Sequence, residues 1–168
     1  AYPYGNSRKG LPFVKKYYSG GANSIRAWQV RSLGPGSYYP EEQQKYFNQT
    51  ADMKLEANFE YRFKMFWILE GAFFIDAGNV WAIRKSSDDR ENALFRLNSF
   101  YDDIAIGSGL GLRLDFSFFI FRTDIGLKLR DPSIRTNQTK YNEHTGPNKW
   151  IFTHRKFDRG DWNFNVGI

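Results

Sequence analysis

Arg26, Glu60 and Asp76 are the residues whose types and placement suggest chemistry, and that chemistry is electrostatic rather than covalent. Arg26 lies in the stretch Gly20-Gly21-Ala22-Asn23-Ser24-Ile25-Arg26-Ala27-Trp28. Two adjacent glycines let the backbone turn sharply, and Asn23 and Ser24 add turn-forming side chains. A guanidinium keeps its proton, so wherever Arg26 is buried it needs an anionic partner. Glu60 and Asp76 stand in two separate stretches that alternate apolar and polar residues, and each falls on the polar face. Same-face carboxylates on neighbouring strands can both reach one guanidinium. The bland alternative is a solvated loop arginine.

Other candidates carry less. Gly107-Ser108-Gly109-Leu110-Gly111 superficially resembles a phosphate loop but lacks the helix and the third-glycine spacing. Its glycines are alternate residues on one face of a strand, where they leave room for the arginine loop and Trp28. His144 and His154 lack a metal-ligand pattern. Asp88-Asp89 and Asp102-Asp103 lack the calcium-loop pattern. Asn48-Gln49-Thr50 and Asn137-Gln138-Thr139 match a glycosylation acceptor, a short pattern that is weak by itself. No nucleophile–base set stands at a plausible site. The reading is therefore no enzyme, no metal and no cofactor.

Composition points to a membrane. Aromatic residues reach 18%, yet the mean hydropathy is −0.61. Strands that alternate lipid-facing and polar residues give this average. There is no apolar run of transmembrane-helix length, and Ala1-Tyr2-Pro3-Tyr4 does not read as a signal peptide. Cysteine is absent, which discriminates little between an outer envelope and a reducing cytosol. The net charge of +6 is scattered rather than clustered. That argues against nucleic acid and for anionic lipid headgroups as partners.

The elements that must position the three residues follow from the alternation. Ala1 to Asn6 reads as the end of a strand, and residues 12–51 as one long loop. From Asp52 to Phe63, Met53, Leu55, Ala57, Phe59, Tyr61 and Phe63 share one face, while Glu56, Asn58, Glu60 and Arg62 share the other. Ile68 to about Gly78 sets Phe74, Asp76 and Gly78 inward. Ile104 to Phe116 sets Gly107, Gly109, Gly111 and Arg113 inward. With only Ser117 between them, the next strand runs to Leu129, with Arg122, Asp124, Gly126 and Lys128 inward. The last strand places Trp162, Phe164, Val166 and Ile168 outward and Asn163, Asn165 and Gly167 inward. It is short, and those inward residues pack weakly, which predicts a mobile strand. Trp67, Trp81, Phe116, Phe118 and Trp162 fall near strand ends, where aromatic girdles belong. The long stretches Arg84–Tyr101 and Ser133–Gly160 read as polar outer loops. The fold class is all-β, a transmembrane antiparallel β-barrel of the outer-membrane type. Five strands cannot close one, so 1–168 reads as the C-terminal part of a larger barrel domain.

These residues match a family pattern. The sequence resembles the BamA/TamA-type outer-membrane assembly superfamily, also called the bacterial surface-antigen family. Its loop-six motif, Gly-Gly followed by hydrophobe-Arg-Gly-aromatic, appears as Gly20-Gly21 and Ile25-Arg26-Ala27-Trp28. Its second signature, aromatic-x-Asp-x-Gly with a following Trp, appears as Phe74-Ile75-Asp76-Ala77-Gly78 and Trp81. Ala27 replaces the usual glycine, a departure expected to alter the loop tip. The resemblance implies a sixteen-stranded barrel of which the chain supplies about strands 11 to 16. It also implies that residues 12–51 fold into the lumen, with Arg26 against Asp76 and Glu60 and with Phe74 and Gly78 as further lumenal partners of the loop.

The function so implied is assembly and insertion of client β-barrels through a lateral seam beside the last strand, Trp162 to Ile168. The partners implied are outer-membrane lipids, unfolded client proteins, the remaining strands and POTRA-type repeats of the same protein, and accessory lipoproteins or other envelope subunits. The implied location is the bacterial outer membrane, with the C-terminus toward the periplasm. A two-partner-secretion-type polypeptide transporter is the nearest alternative. A passive porin or structural barrel and a soluble β-sandwich are rivals of other classes.

Overall fold

A computed structural model describes residues 11–38, 49–84, 92–133, 150–151 and 159–167. Its centre is one antiparallel sheet of five strands in sequence order: β1 (Met53–Phe66), β2 (Leu69–Trp81), β3 (Ala105–Asp115), β4 (Ile120–Arg130) and β5 (Trp162–Gly167). The sheet is open. Among the described residues, β1 pairs only with β2, and β5 only with β4. No described helix is long and apolar enough to cross a membrane.

Period-two alternation sorts the side chains as the sequence predicts. Phe59, Tyr61, Phe73, Ile75, Leu110, Leu112, Ile125 and Phe164 stand exposed on one face. On the other face Ala72, Phe74, Asp76, Arg113 and Asp124 are buried. Pairing register lines up Glu60, Phe74, Gly109, Gly126 and Asn163 as one row across all five strands. That row runs beneath the arginine loop. A broad apolar face turned outward suits lipid rather than water.

Several boundaries and placements differ from the sequence reading. β1 continues to Phe66, because Lys64 still pairs with Glu70 before the register slips. The turn is then Trp67 and Ile68, with Trp67 in the left-handed region (φ 47°). The β3–β4 connection spans Phe116 to Phe119 rather than Ser117 alone. The Phe116 N–H donates to the Phe119 carbonyl at 3.0 Å, and the two rings stack at 4.8 Å.

Trp81 is not a girdle residue: it is fully buried. Phe95 packs edge-on against it at 5.8 Å, and its indole N–H donates to Asp103 at 3.4 Å. Part of the expected outer loop therefore folds back onto the end of β2. Ala82 bridges Leu94, Asn79 donates to the Asp103 carbonyl at 2.5 Å, and Arg130 donates to the carbonyls of Tyr101, Asp102 and Ile104. Tyr2, Tyr4, Asn48, Asp88, Asp89, Asn137, His144, His154 and Ile168 lie outside the described residues.

Candidate functional site: an arginine loop docked on the sheet

The loop is tied at its neck before it reaches the sheet. Tyr17 bridges Ala51, and Ser19 bridges Leu33. Gly20 and Gly21 both adopt positive φ, 97° and 94°, a conformation in which a side chain would be strained. The turn closes when the Gly21 N–H donates to the Trp28 carbonyl at 2.7 Å. Glu56 of β1 secures this neck by accepting from Ser19 Oγ at 2.7 Å and from Ser24 Oγ. Lys54 pairs with the same carboxylate at 2.8 Å. Ile25, Ala27, Trp28 and Leu33 then form an apolar cluster with Ala105 of β3.

Arg26 extends from this tip into a carboxylate fork. Its Nε and Nη2 donate to the two Asp76 oxygens, each at 2.9 Å, and its backbone N–H adds a third bond at 3.0 Å. Nη1 reaches Glu60 at 2.5 Å. The guanidinium lies 3.5 Å from the centre of the Phe74 ring, so a cation–π contact supports the ionic ones. Arg26 and Asp76 are both buried. Burial opposes the arginine's charge, but the bonds and charges of Asp76 and Glu60 outweigh it and hold the pKa above the ordinary arginine value. Two-point binding of a planar fork fixes orientation as well as position.

The structure thus brings together Gly20, Gly21, Arg26, Trp28, Glu60, Phe74 and Asp76. Gly78 is placed differently. The atoms nearest to where its side chain would stand are backbone atoms of Leu55 and Glu56 in β1, so its missing side chain permits close strand pairing.

Several participants were visible in the sequence only as inward positions. Asn58 joins the loop to its acceptor, donating to the Ser24 carbonyl and to Asp76, each at 2.9 Å. Arg113 at 2.6 Å and Arg62 at 2.5 Å share Glu60 with Arg26. Arg122 donates to Asn23. Asp124 is buried, and among the described residues neither of its oxygens has a hydrogen-bond partner.

The strand glycines divide their work. A Cβ on Gly126 would stand 2.8 Å from the Arg26 carbonyl oxygen and from backbone atoms of Ala27. One on Gly107 would stand 2.5 Å from the Ala27 methyl and 3.3 Å from the Trp28 ring. The methyl of Ala27, where the resembled motif has glycine, is therefore accommodated opposite a residue without a side chain. Gly109 instead makes room for Phe74, and Gly111 for Asp124. Lys128 lies 5.4 Å from the centre of the Trp28 ring.

On the far side of the loop stand Asn163 and Asn165 of β5. Asn163 donates to the carbonyls of Arg26 and Trp28, at 2.9 and 3.0 Å. Asn165 donates to the Arg26 carbonyl at 2.8 Å. Trp162, Phe164 and Val166 point away and are exposed, and Gly167 pairs with Arg122.

Among the described residues, no group of three or more His, Cys, Asp or Glu is placed to hold a metal. What the arrangement can do is hold a loop against a strand surface. Residues 1–168 match the family model described as the Omp85 superfamily domain. No curated protein matches the sequence.

Proposed function

The chain belongs to the Omp85 superfamily, and we propose that it is the C-terminal arc of a BamA/TamA-like assembly factor. The superfamily's domain is an outer-membrane β-barrel associated with protein insertion and transport. Within it, this protein folds and inserts client β-barrels at a lateral seam beside β5. The observation that carries this reading is the Arg26 clamp on Asp76 and Glu60, which holds the tip of the loop against the sheet's inner face. A passive porin needs that face open to water. A second feature fits: β5 presents an edge unpaired among the described residues, and such an edge can template an incoming strand.

The work is physical and has no covalent step. Lipids contact the apolar face, and unfolded client chains meet the β5 edge. The remaining strands and POTRA-type repeats complete the barrel and deliver clients, with accessory envelope subunits alongside. The C-terminus faces the periplasm.

The test uses the full-length protein in liposomes with a denatured outer-membrane barrel as client. Insertion, read as protease protection, is expected to exceed that of empty liposomes by on the order of tenfold and to fall in Arg26→Ala. Insertion no faster than in empty liposomes sinks the reading. Passage of an unfolded polypeptide into the liposome interior, without insertion, replaces it with the secretion transporter.

A further inference from the structure

We infer that Asn163 and Asn165 are positioning residues that latch β5 to the arginine loop, so that docking of the loop and freedom of the edge strand form one equilibrium. Its functional meaning rests on the assembly reading above, but the coupling itself does not.

β5 is held in two ways. The first is a ladder to β4 of only six residue pairs, from Arg122 with Gly167 to Leu127 with Trp162. The second is the set of three amide bonds to the carbonyls of Arg26 and Trp28. Asn163 also donates to Asn165 Oδ1 at 3.3 Å, which orients the pair. Gly126, the register partner of Asn163, is the glycine whose missing side chain lets the Arg26 carbonyl approach. Donor, acceptor and the gap between them are thus built as a set.

The two residues the latch engages are also the two ends of the loop's own anchor. Arg26 offers its side chain to β1 and β2 and its carbonyl to β5. The Trp28 carbonyl is shared between Gly21, which closes the loop, and Asn163. If the loop shifts, β5 loses its second attachment. If β5 swings away to pair with an incoming strand, the loop loses three hydrogen bonds from two amides. Coupling of this kind is reciprocal by thermodynamic necessity. Neutral amides suit a contact that must break, because leaving one strands no buried charge.

Reciprocity supplies the test. The full-length protein in lipid bilayers is followed by amide hydrogen exchange without any client, alongside the insertion assay described above. Arg26→Ala, which changes no side chain on β5, is expected to speed exchange across Trp162–Gly167 about tenfold. Asn163→Asp with Asn165→Asp, which replaces donors by acceptors facing carbonyls, is expected to speed exchange across residues 20–30 by a similar factor. Asn163→Gln with Asn165→Gln retains the donors and should fall between, and it serves if the aspartate pair fails to fold. Phe59→Leu, on the outward face, should move neither region. Unchanged β5 exchange in Arg26→Ala overturns the latch, as does an unchanged loop in both asparagine pairs. Coupled exchange in a protein that fails the insertion assay upholds the latch and removes the assembly reading instead.

Discussion

The same loop is held by different chemistry at its two sides. On β1 and β2 the partner is the Arg26 side chain, and the acceptors are charged: Asp76 at 2.9 Å and Glu60 at 2.5 Å. On β5 the acceptors are backbone carbonyls of the loop, and the donors are the neutral amides of Asn163 and Asn165. Breaking a buried ion pair leaves a charge without compensation, whereas breaking an amide bond leaves two groups that water can satisfy. The β1–β2 side is therefore the fixed hinge of the loop and the β5 contact its yielding edge. Strength of attachment falls across the sheet toward β5, whose outer edge is unpaired among the described residues.

The largest blow to this comparison is removal of the hinge. Arg26→Ala, or Asp76→Asn, is expected to cost the docked loop on the order of 3–5 kcal/mol. The chain has no cysteine of its own, so a bismaleimide bridge between Asn23→Cys and Arg122→Cys reports docking cleanly. The bridge should be nearly lost in Arg26→Ala and only partly in Arg26→Lys, since an ammonium cannot make the planar fork. Equal bridging in all backgrounds would mean that the arginine does not hold the loop.

Next comes Gly126→Val, which leaves every charge in place but sets a side chain against the backbone of Arg26 and Ala27. Overpacking of about 1–3 kcal/mol is expected, felt at the yielding edge. Exchange at Trp162–Gly167 should rise while the Asn58 side-chain amide signals, at the hinge, stay protected. Loosening of both sides together would show that the two attachments are not graded.

Asn163→Ala with Asn165→Ala sharpens the comparison further. Loss of neutral bonds is expected to lower stability by about 1–2 kcal/mol, read as a lower midpoint of heat modifiability on gels. A fall as large as that of Arg26→Ala would erase the difference between the sides.

The smallest effect belongs to Arg62→Ala. Arg62 pairs with Glu60 but its side chain is 60% exposed, and such pairs contribute about 0–1 kcal/mol. Bridging of the loop should be unchanged within error, and also at high salt, because the buried hinge is poorly screened. A salt-sensitive bridge would place the hinge in water.

Which face a residue occupies was legible in the sequence, and which partner it meets was not. Alternation put Glu60, Asp76, Asn163 and Asn165 inward because a strand's geometry has a fixed period of two. It also put Arg113 and Asp124 inward, yet nothing local distinguishes an arginine on Glu60 from a carboxylate without a hydrogen bond. Asn163 and Asn165 read as poor strand formers with little to pack against. The structure instead gives them acceptors, carried in by a loop more than 130 positions away in the chain. Trp81 read as a girdle residue from its place at a strand end. Its burial depends on Phe95 and Asp103 returning from a loop whose own sequence is polar. The strand ends shifted for a related reason: β1 outlasts its alternation because cross-strand pairing, not pattern, decides where it stops.

The distances along the chain between partners carry one more consequence, for timing. Arg26 is 50 positions from Asp76 but 139 from Asn165. Contacts between distant segments must await the intervening strands, since each closure has an entropic cost before any bond repays it. The hinge can form once β1 and β2 have paired, while the bonds from Asn163 and Asn165 to the carbonyls of Arg26 and Trp28 form only after β3, β4 and β5 have joined in turn. A fully seated loop is then a sign that the last strand has arrived. In pulse-labelled refolding, protection of the Arg26 N–H, which the hinge engages through Asp76, should appear no later than protection across Trp162–Gly167, and the reverse order would show that the hinge waits for the final strand.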